Sequence, residues 1–135
     1  MGFTVEDLLR TEEGRTMKIV CGEQGLNNEI KGVTIIEAPD IVKFINGGEL
    51  LLTGLYAFKS CSVEEFKSYI YEFRKKKISG LIVKRGRLVD DADKKIELLQ
   101  EYARKNRIPI MEVPFEMKRS CFLKTSKQHM IILPR

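Results

Sequence analysis

Three acids close together in the chain, Asp90, Asp91 and Asp93, are the first candidates for metal chemistry, because hard divalent cations bind clustered carboxylate oxygens. They fall where a helix is predicted to begin, and there carboxylates complement the positive end of the helix dipole, so capping is the expected role. Cys21, Cys61 and Cys121 are far apart and form no CxxC pair, and His129 is the only histidine available as a nitrogen ligand. A zinc site needs four clustered ligands and a disulfide framework an even count, so neither is expected, and Cys21 and Cys61 read as small buried hydrophobes. With one histidine, in the C-terminal tail, no Ser-His-Asp or Cys-His arrangement is expected in the core. Gly47-Gly48 precedes a predicted strand instead of leading from a strand into a helix, so it reads as a structural turn and not as a phosphate or dinucleotide loop. The residues predict no enzyme, no metal and no cofactor.

Glu37, Asp40, Thr53, Gly54 and Tyr56 are better suited to holding a ligand. Their carboxylates and hydroxyls can accept and donate hydrogen bonds, and the ring of Tyr56 can stack. Glu37 and Asp40 flank Pro39, while Thr53, Gly54 and Tyr56 stand at the exit of a predicted strand. Open α/β sheets bind ligands at the carboxyl ends of their strands, which makes this group the candidate site. The competing account is structural: Glu37 and Asp40 cap a helix, Thr53 finishes a ladder, and Gly47, Gly48 and Gly54 permit turns.

The elements that would position these residues can be read in order. Thr4 with Asp7 opens a short helix whose inner side carries Val5, Leu8 and Leu9. Met17 to Cys21 reads as a strand, Gly22 to Asn28 as a turn, and Ile30 to Ile36 as a β-branched strand stopped by Pro39. Asp40 is expected to cap one or two helical turns that pack Ile41, Phe44 and Ile45 inward, with Asn46-Gly47-Gly48 ending them. Leu50 to Thr53, apolar on both faces, reads as the central strand. Ser62 with Glu65 forms a capping box for a helix carrying Val63, Phe66, Tyr69, Ile70 and Phe73 at helical spacing as far as Lys77. Leu81-Ile82-Val83 is a buried strand. After the loop Lys84 to Val89, Asp90 or Asp91 starts a helix with Ala92, Ile96, Leu99, Tyr102 and Ala103 on its inner stripe. Ile108 to Val113 is the last strand, between breaks at Pro109 and Pro114. Helices alternating with short apolar strands predict an α/β layered sandwich, a single domain with a mixed, partly parallel sheet flanked by helices.

Composition agrees. A chain of 135 residues with 43% hydrophobic and 32% charged residues is one globular domain. It has no apolar run of about 18 residues, so no membrane span is expected, and its start lacks the basic and apolar regions of a signal peptide, so the cytoplasm is the expected location. The net charge is +5, but residues 116–135 alone carry +4 and the rest only +1. Charge gathered in a tail is not the spread basic face or recognition helix that binds DNA, so no direct nucleic-acid binding by this chain is expected. Arg74-Lys75-Lys76-Lys77 reads as a solvated helix end whose cations complement the dipole.

The order Thr4-Val5-Glu6-Asp7-Leu8-Leu9, Gly32-Val33, Glu37-Ala38-Pro39-Asp40, Gly47-Gly48-Glu49-Leu50-Leu51-Leu52-Thr53-Gly54, Ile78-Ser79-Gly80-Leu81-Ile82-Val83 and Ile108-Pro109-Ile110-Met111-Glu112-Val113-Pro114 resembles the N-terminal regulatory domain of the PucR family, the bacterial purine-catabolism regulators. The resemblance divides the chain into a regulatory domain over residues 1–116 and an atypical basic and apolar tail over 117–135, in which Met130 to Leu133 is apolar enough for an added edge strand. At the level of fold alone, the Glu-Leu-rich strand, helix and Gly-Leu-Ile-Val strand are also similar to the N-terminal domains of HPr kinase and the Mur ligases.

The resemblance implies a domain that senses a purine-catabolism metabolite, a purine or ureide, and controls a DNA-binding helix-turn-helix that these residues do not contain. The alternative is a protein-interaction module, a homodimer or a partner for another regulator domain, with no small-molecule ligand.

Overall fold

The computed structural model describes residues 2–84 and 91–113. Expectations placed on Asp90, on the loop beyond Lys84, on Cys121, His129 and Met130 to Leu133, and on the 117–135 tail lie outside the described residues.

Among the described residues, five strands, β1 (Lys18–Cys21), β2 (Gly32–Ile36), β3 (Glu49–Gly54), β4 (Gly80–Lys84) and β5 (Ile110–Val113), form one sheet in the order β1-β5-β4-β3-β2. β2 to β5 run parallel, and β1 joins β5 antiparallel with a register shift between Ile19 and Cys21. The mixed, partly parallel α/β sheet of the sequence reading is therefore observed, with every pairing parallel except that of β1 with β5. Register places Ile36 beside Thr53 and Gly54 beside Lys84, so the carboxyl ends of β2, β3 and β4 share an edge.

β3 is buried from Glu49 to Thr53, as a strand covered on both faces must be. Its side chains alternate between two cores: Leu51 joins Leu81 and Ile110 on one face, while Leu50 and Leu52 join Ile82, Met111 and Val113 on the other. β4, and not β3, is the middle strand; apolarity on both faces reports coverage and not position within the sheet.

Among the described residues, three α-helices cover the faces: α1 (Val5–Leu9), α2 (Val63–Lys76) and α3 (Ala92–Asn106). α1 carries the predicted capping box, with the Asp7 amide donating to Thr4 Oγ1 at 3.1 Å and the Thr4 amide to Asp7 Oδ2 at 3.0 Å. α2 carries the other, with the Glu65 amide donating to Ser62 Oγ at 3.1 Å and the Ser62 amide to Glu65 Oε1 at 2.8 Å. α2 and α3 pack Phe66, Phe73, Leu99, Tyr102 and Ala103 into the Leu51 core, and α1 packs Val5 and Leu8 into the Leu50 core. Each crossover thus buries the apolar stripe that its sequence period predicts.

Several details correct the sequence reading. The segment after β2 is a 3-10 helix, Pro39–Phe44, capped by no side chain; Pro39 occupies its first turn and Asp40 follows it. With about three residues per turn its inner positions are Val42 and Ile45, while Phe44 is 66% exposed, because the α-helical period of about 3.6 gives the wrong phase. On α3, Ile96 is 37% exposed and Lys95 takes its place, fully buried. Asp91, the N-cap of α3, makes no side-chain cap bond. Of the glycines after the 3-10 helix, Gly48 alone needs positive φ, at 79°. Cys21 is buried as expected, whereas Cys61 is only half-buried; both are free thiols.

Candidate functional site

The carboxyl edge of the sheet gathers the predicted ligand residues, but in different roles. Thr53 is buried, and its hydroxyl lies 3.0 Å from the Ile36 carbonyl and 3.1 Å from that of Gly54. A hydroxyl has one proton to donate, so Thr53 is occupied in tying the ends of β2 and β3 together. Glu37 and Asp40 stand exposed just past the end of β2. Gly54 has extended backbone, φ −111°, and begins a second 3-10 helix, Leu55–Phe58. A Cβ on Gly54 would meet only ordinary contacts, 3.5 Å from the Lys84 carbonyl oxygen and 3.9 Å from Lys84 Cβ. The glycine is thus not required by backbone geometry; its effect is to leave the strand end flat. Tyr56 is 37% exposed, and Lys59 lies over it, with Nζ 2.8 Å from the phenol oxygen and 4.0 Å from the ring centroid.

Behind this edge lies a group of polar side chains that the sequence reading did not single out. Lys95 Nζ donates to the Phe58 carbonyl at 3.0 Å and sits 6.0 Å from the centroid of the Phe66 ring. It anchors the end of the same short helix that carries Tyr56. Burial raises the pKa of the neighbouring Cys61 thiol, Glu65 raises it further, and the Lys95 cation acts in the lowering direction. Burial also raises the phenol of Tyr69, with Cys61, Glu65 and Asp40 adding to the effect. Asp40, Tyr69, Cys61 and Lys95 therefore lie within electrostatic reach of one another in series. The signal for Lys95 was a lysine four residues before Leu99 on the apolar stripe of α3, overlooked because Ile96 fits the same helical period.

The chemistry on offer is recognition by charge and hydrogen bonding. Cys61 is held as the thiol, and thiolate is the nucleophilic form. Among the described residues no three His, Cys, Asp or Glu side chains are placed to hold a metal ion, and no helix is long and apolar enough to cross a membrane.

Gly47 and Gly48 lie at the opposite end of β3, where the Gly48 amide donates to the Lys77 carbonyl at 3.1 Å and so ties the turn to the end of α2. Glu49 follows, buried, its Oε1 accepting from Thr34 Oγ1 and from the Asn46 amide. The Gly-Gly-Glu segment builds the entrance to the strand, and the candidate ligand residues lie at its exit.

The sequence profile of the purine catabolism regulatory protein-like family matches residues 7–124. Over 130 residues the chain is 28% identical to the purine catabolism regulatory protein of Bacillus subtilis (strain 168). That alignment takes in 96% of this chain and 24% of the relative, so the chain spans about a quarter of the relative's length.

Proposed function

This chain belongs to the purine catabolism regulatory protein-like family, and from that premise we propose that it is the sensory module of a cytoplasmic bacterial transcription regulator. It binds a purine or ureide and passes its occupancy to a DNA-binding region outside these residues, without catalysing a reaction. The observation that carries this reading is that Glu37 and Gly54 stand at the carboxyl ends of the paired strands β2 and β3, with Asp40 and Tyr56 in the short helices that follow, the edge at which parallel sheets bind ligands. In it Glu37 and Asp40 accept N–H groups of the ligand, Tyr56 stacks on its plane, Gly54 leaves room for it, and Thr53 holds the two strand ends at fixed spacing.

A thermal-denaturation titration with a purine, hypoxanthine, and a ureide, hydantoin, together with their acidic relatives urate and hydantoate, tests the reading. A ligand that binds only the folded state stabilises it by about 2.7 kcal/mol at a hundred times its Kd, so the melting temperature should climb with concentration. The paired substitutions Glu37→Ala and Tyr56→Ala should remove the climb. An unchanged climb would move the site elsewhere, and no response to any of the four compounds would sink the reading.

One observation favours a second reading, a protein-contact module. Phe44, at the end of the Pro39–Phe44 helix, is 66% exposed, with Lys43 Nζ 5.3 Å from its ring centroid. A large apolar side chain in water is a common interface anchor. That reading expects a mass that grows with concentration in sedimentation equilibrium, reversal by Phe44→Ser, and indifference to metabolites.

A further inference from the structure

Lys95 is fully buried, yet no carboxylate bonds to it among the described residues. An ammonium has three protons to donate, and the described residues supply one acceptor, the uncharged Phe58 carbonyl, beside the face of a phenylalanine ring. None of the acids around it, Glu65, Asp40 and the exposed Asp91 one turn earlier on α3, bonds to Lys95 Nζ among the described residues. Glu65 is bound to the Ser62 amide in its capping box, and Asp40 is exposed at the start of its 3-10 helix. Cys61, kept protonated by burial, supplies no negative charge. Taking an ammonium out of water without a counter-charge costs several kcal/mol, and a leucine or methionine would fill this place on the apolar stripe of α3 at no such cost. A charge held in the interior against that cost, bonded to the end of the helix that carries Tyr56, calls for a role beyond packing.

We propose that Lys95 recognises a negative charge on the ligand of this domain, so that the effector is an anionic purine or ureide, one bearing a carboxylate or an ionised ring oxygen, and not its neutral counterpart. The inference rests on the reading that a small molecule binds at the carboxyl edge. The Phe58 carbonyl then stands where a weaker, uncharged acceptor holds the ammonium until the anion arrives. Binding exchanges or extends that bond, and the charge-assisted contact is the stronger of the two. Because Phe58 closes the Leu55–Phe58 helix and packs edge-on against Phe66 of α2, 5.2 Å between centroids, the exchange also acts on the contact between that helix and α2.

The test uses a matched pair of ureides, hydantoate with its carboxylate and hydantoin without one, on the 135-residue chain and on Lys95→Met. Hydantoate should raise the melting temperature of the unaltered protein more than hydantoin does. In Lys95→Met its affinity should fall about tenfold to a hundredfold, the worth of one charge-assisted hydrogen bond, while any hydantoin response stays the same. If hydantoate binds both proteins equally, Lys95 only ties down a short helix and the inference is overturned while the ligand site stands. If neither the hydantoate pair nor the purines shift the unaltered protein, the ligand reading itself fails and takes this inference with it. An independent readout needs no variant: the Lys95 13Cε resonance of the unaltered protein should move on adding hydantoate and stay in place with hydantoin. A resonance that stays put while hydantoate raises the melting temperature overturns the inference as well.

Discussion

A single oxygen, Oε1 of Glu49, accepts a hydrogen bond from Thr34 Oγ1 at 2.8 Å and another from the Asn46 amide at 2.8 Å, and so joins β2, β3 and the turn between them. Glu49→Leu would leave a buried hydroxyl and a part-buried amide without their acceptor, and a cost of about 2–4 kcal/mol is expected. Glu49→Gln keeps a carbonyl oxygen in the same place and should cost about 1 kcal/mol or less. Urea unfolding of the two variants measures the difference; equal losses would mean that charge and not acceptor geometry matters here.

Gly54→Ala separates a ligand role from a backbone role. The extended backbone and the ordinary contacts of an added Cβ predict a stability change within about 0.5 kcal/mol. A ligand lying across the strand end would meet the new methyl, so the response to urate or hydantoate should weaken severalfold. An unaffected response would remove Gly54 from the site.

Tyr102 is buried beside Phe73, its hydroxyl has no hydrogen-bond partner among the described residues, and burial raises its pKa far above the ordinary 10.0. The unfolded chain therefore loses this proton at a lower pH than the folded chain, so stability is fully present below the ordinary value and declines as pH rises through it. The raised Cys21 and Cys61 thiols act in the same direction from their ordinary 9.0 upward. Melting temperatures should fall above about pH 9, and Tyr102→Phe should flatten the fall above about pH 10. At neutral pH the same substitution removes an unpaired hydroxyl and should stabilise by about 1 kcal/mol. A loss of stability at pH 7 would reveal a partner for that hydroxyl.

α2 ends on Lys77 with φ 56°, a left-handed conformation that suits glycine. The bonds made here by the Lys77 backbone, to Phe73, Arg74 and Gly48, survive loss of the side chain. Lys77→Gly is expected to stabilise by about 0.5–1 kcal/mol, read as a rise in the urea midpoint. The exposed Arg107, φ 56°, offers the same substitution at the end of α3, and the two effects should add.

Much of the framework was legible because it is local. Thr4 with Asp7 and Ser62 with Glu65 close hydrogen-bonded rings within four residues, so sequence spacing alone specifies those helix starts. The unbroken apolar run of β3 and the alternation of strands with helices led to the mixed, partly parallel α/β sheet. The segment around Gly-Gly-Glu-Leu-Leu-Leu-Thr pointed to the family, and its structural meaning is the turn and buried carboxylate at the β3 entrance.

What the tertiary structure decided was which side of each segment is inside and which distant residues meet. Pro39–Phe44 winds as a 3-10 helix, so Val42 and Ile45 are buried where an α-helical period expected Phe44. On α3 both Lys95 and Ile96 fit the stripe that contains Leu99, and only packing against α2 and the Leu55–Phe58 helix buries the lysine and leaves the isoleucine exposed. Glu37 and Gly54, 17 residues apart in the chain, come to one edge only because Ile36 and Thr53 are in register. The physical reason is the range of the interactions. Caps and strand propensity are satisfied by neighbours in sequence, whereas burial of a face and the environment of a charge depend on the elements brought against it by the fold.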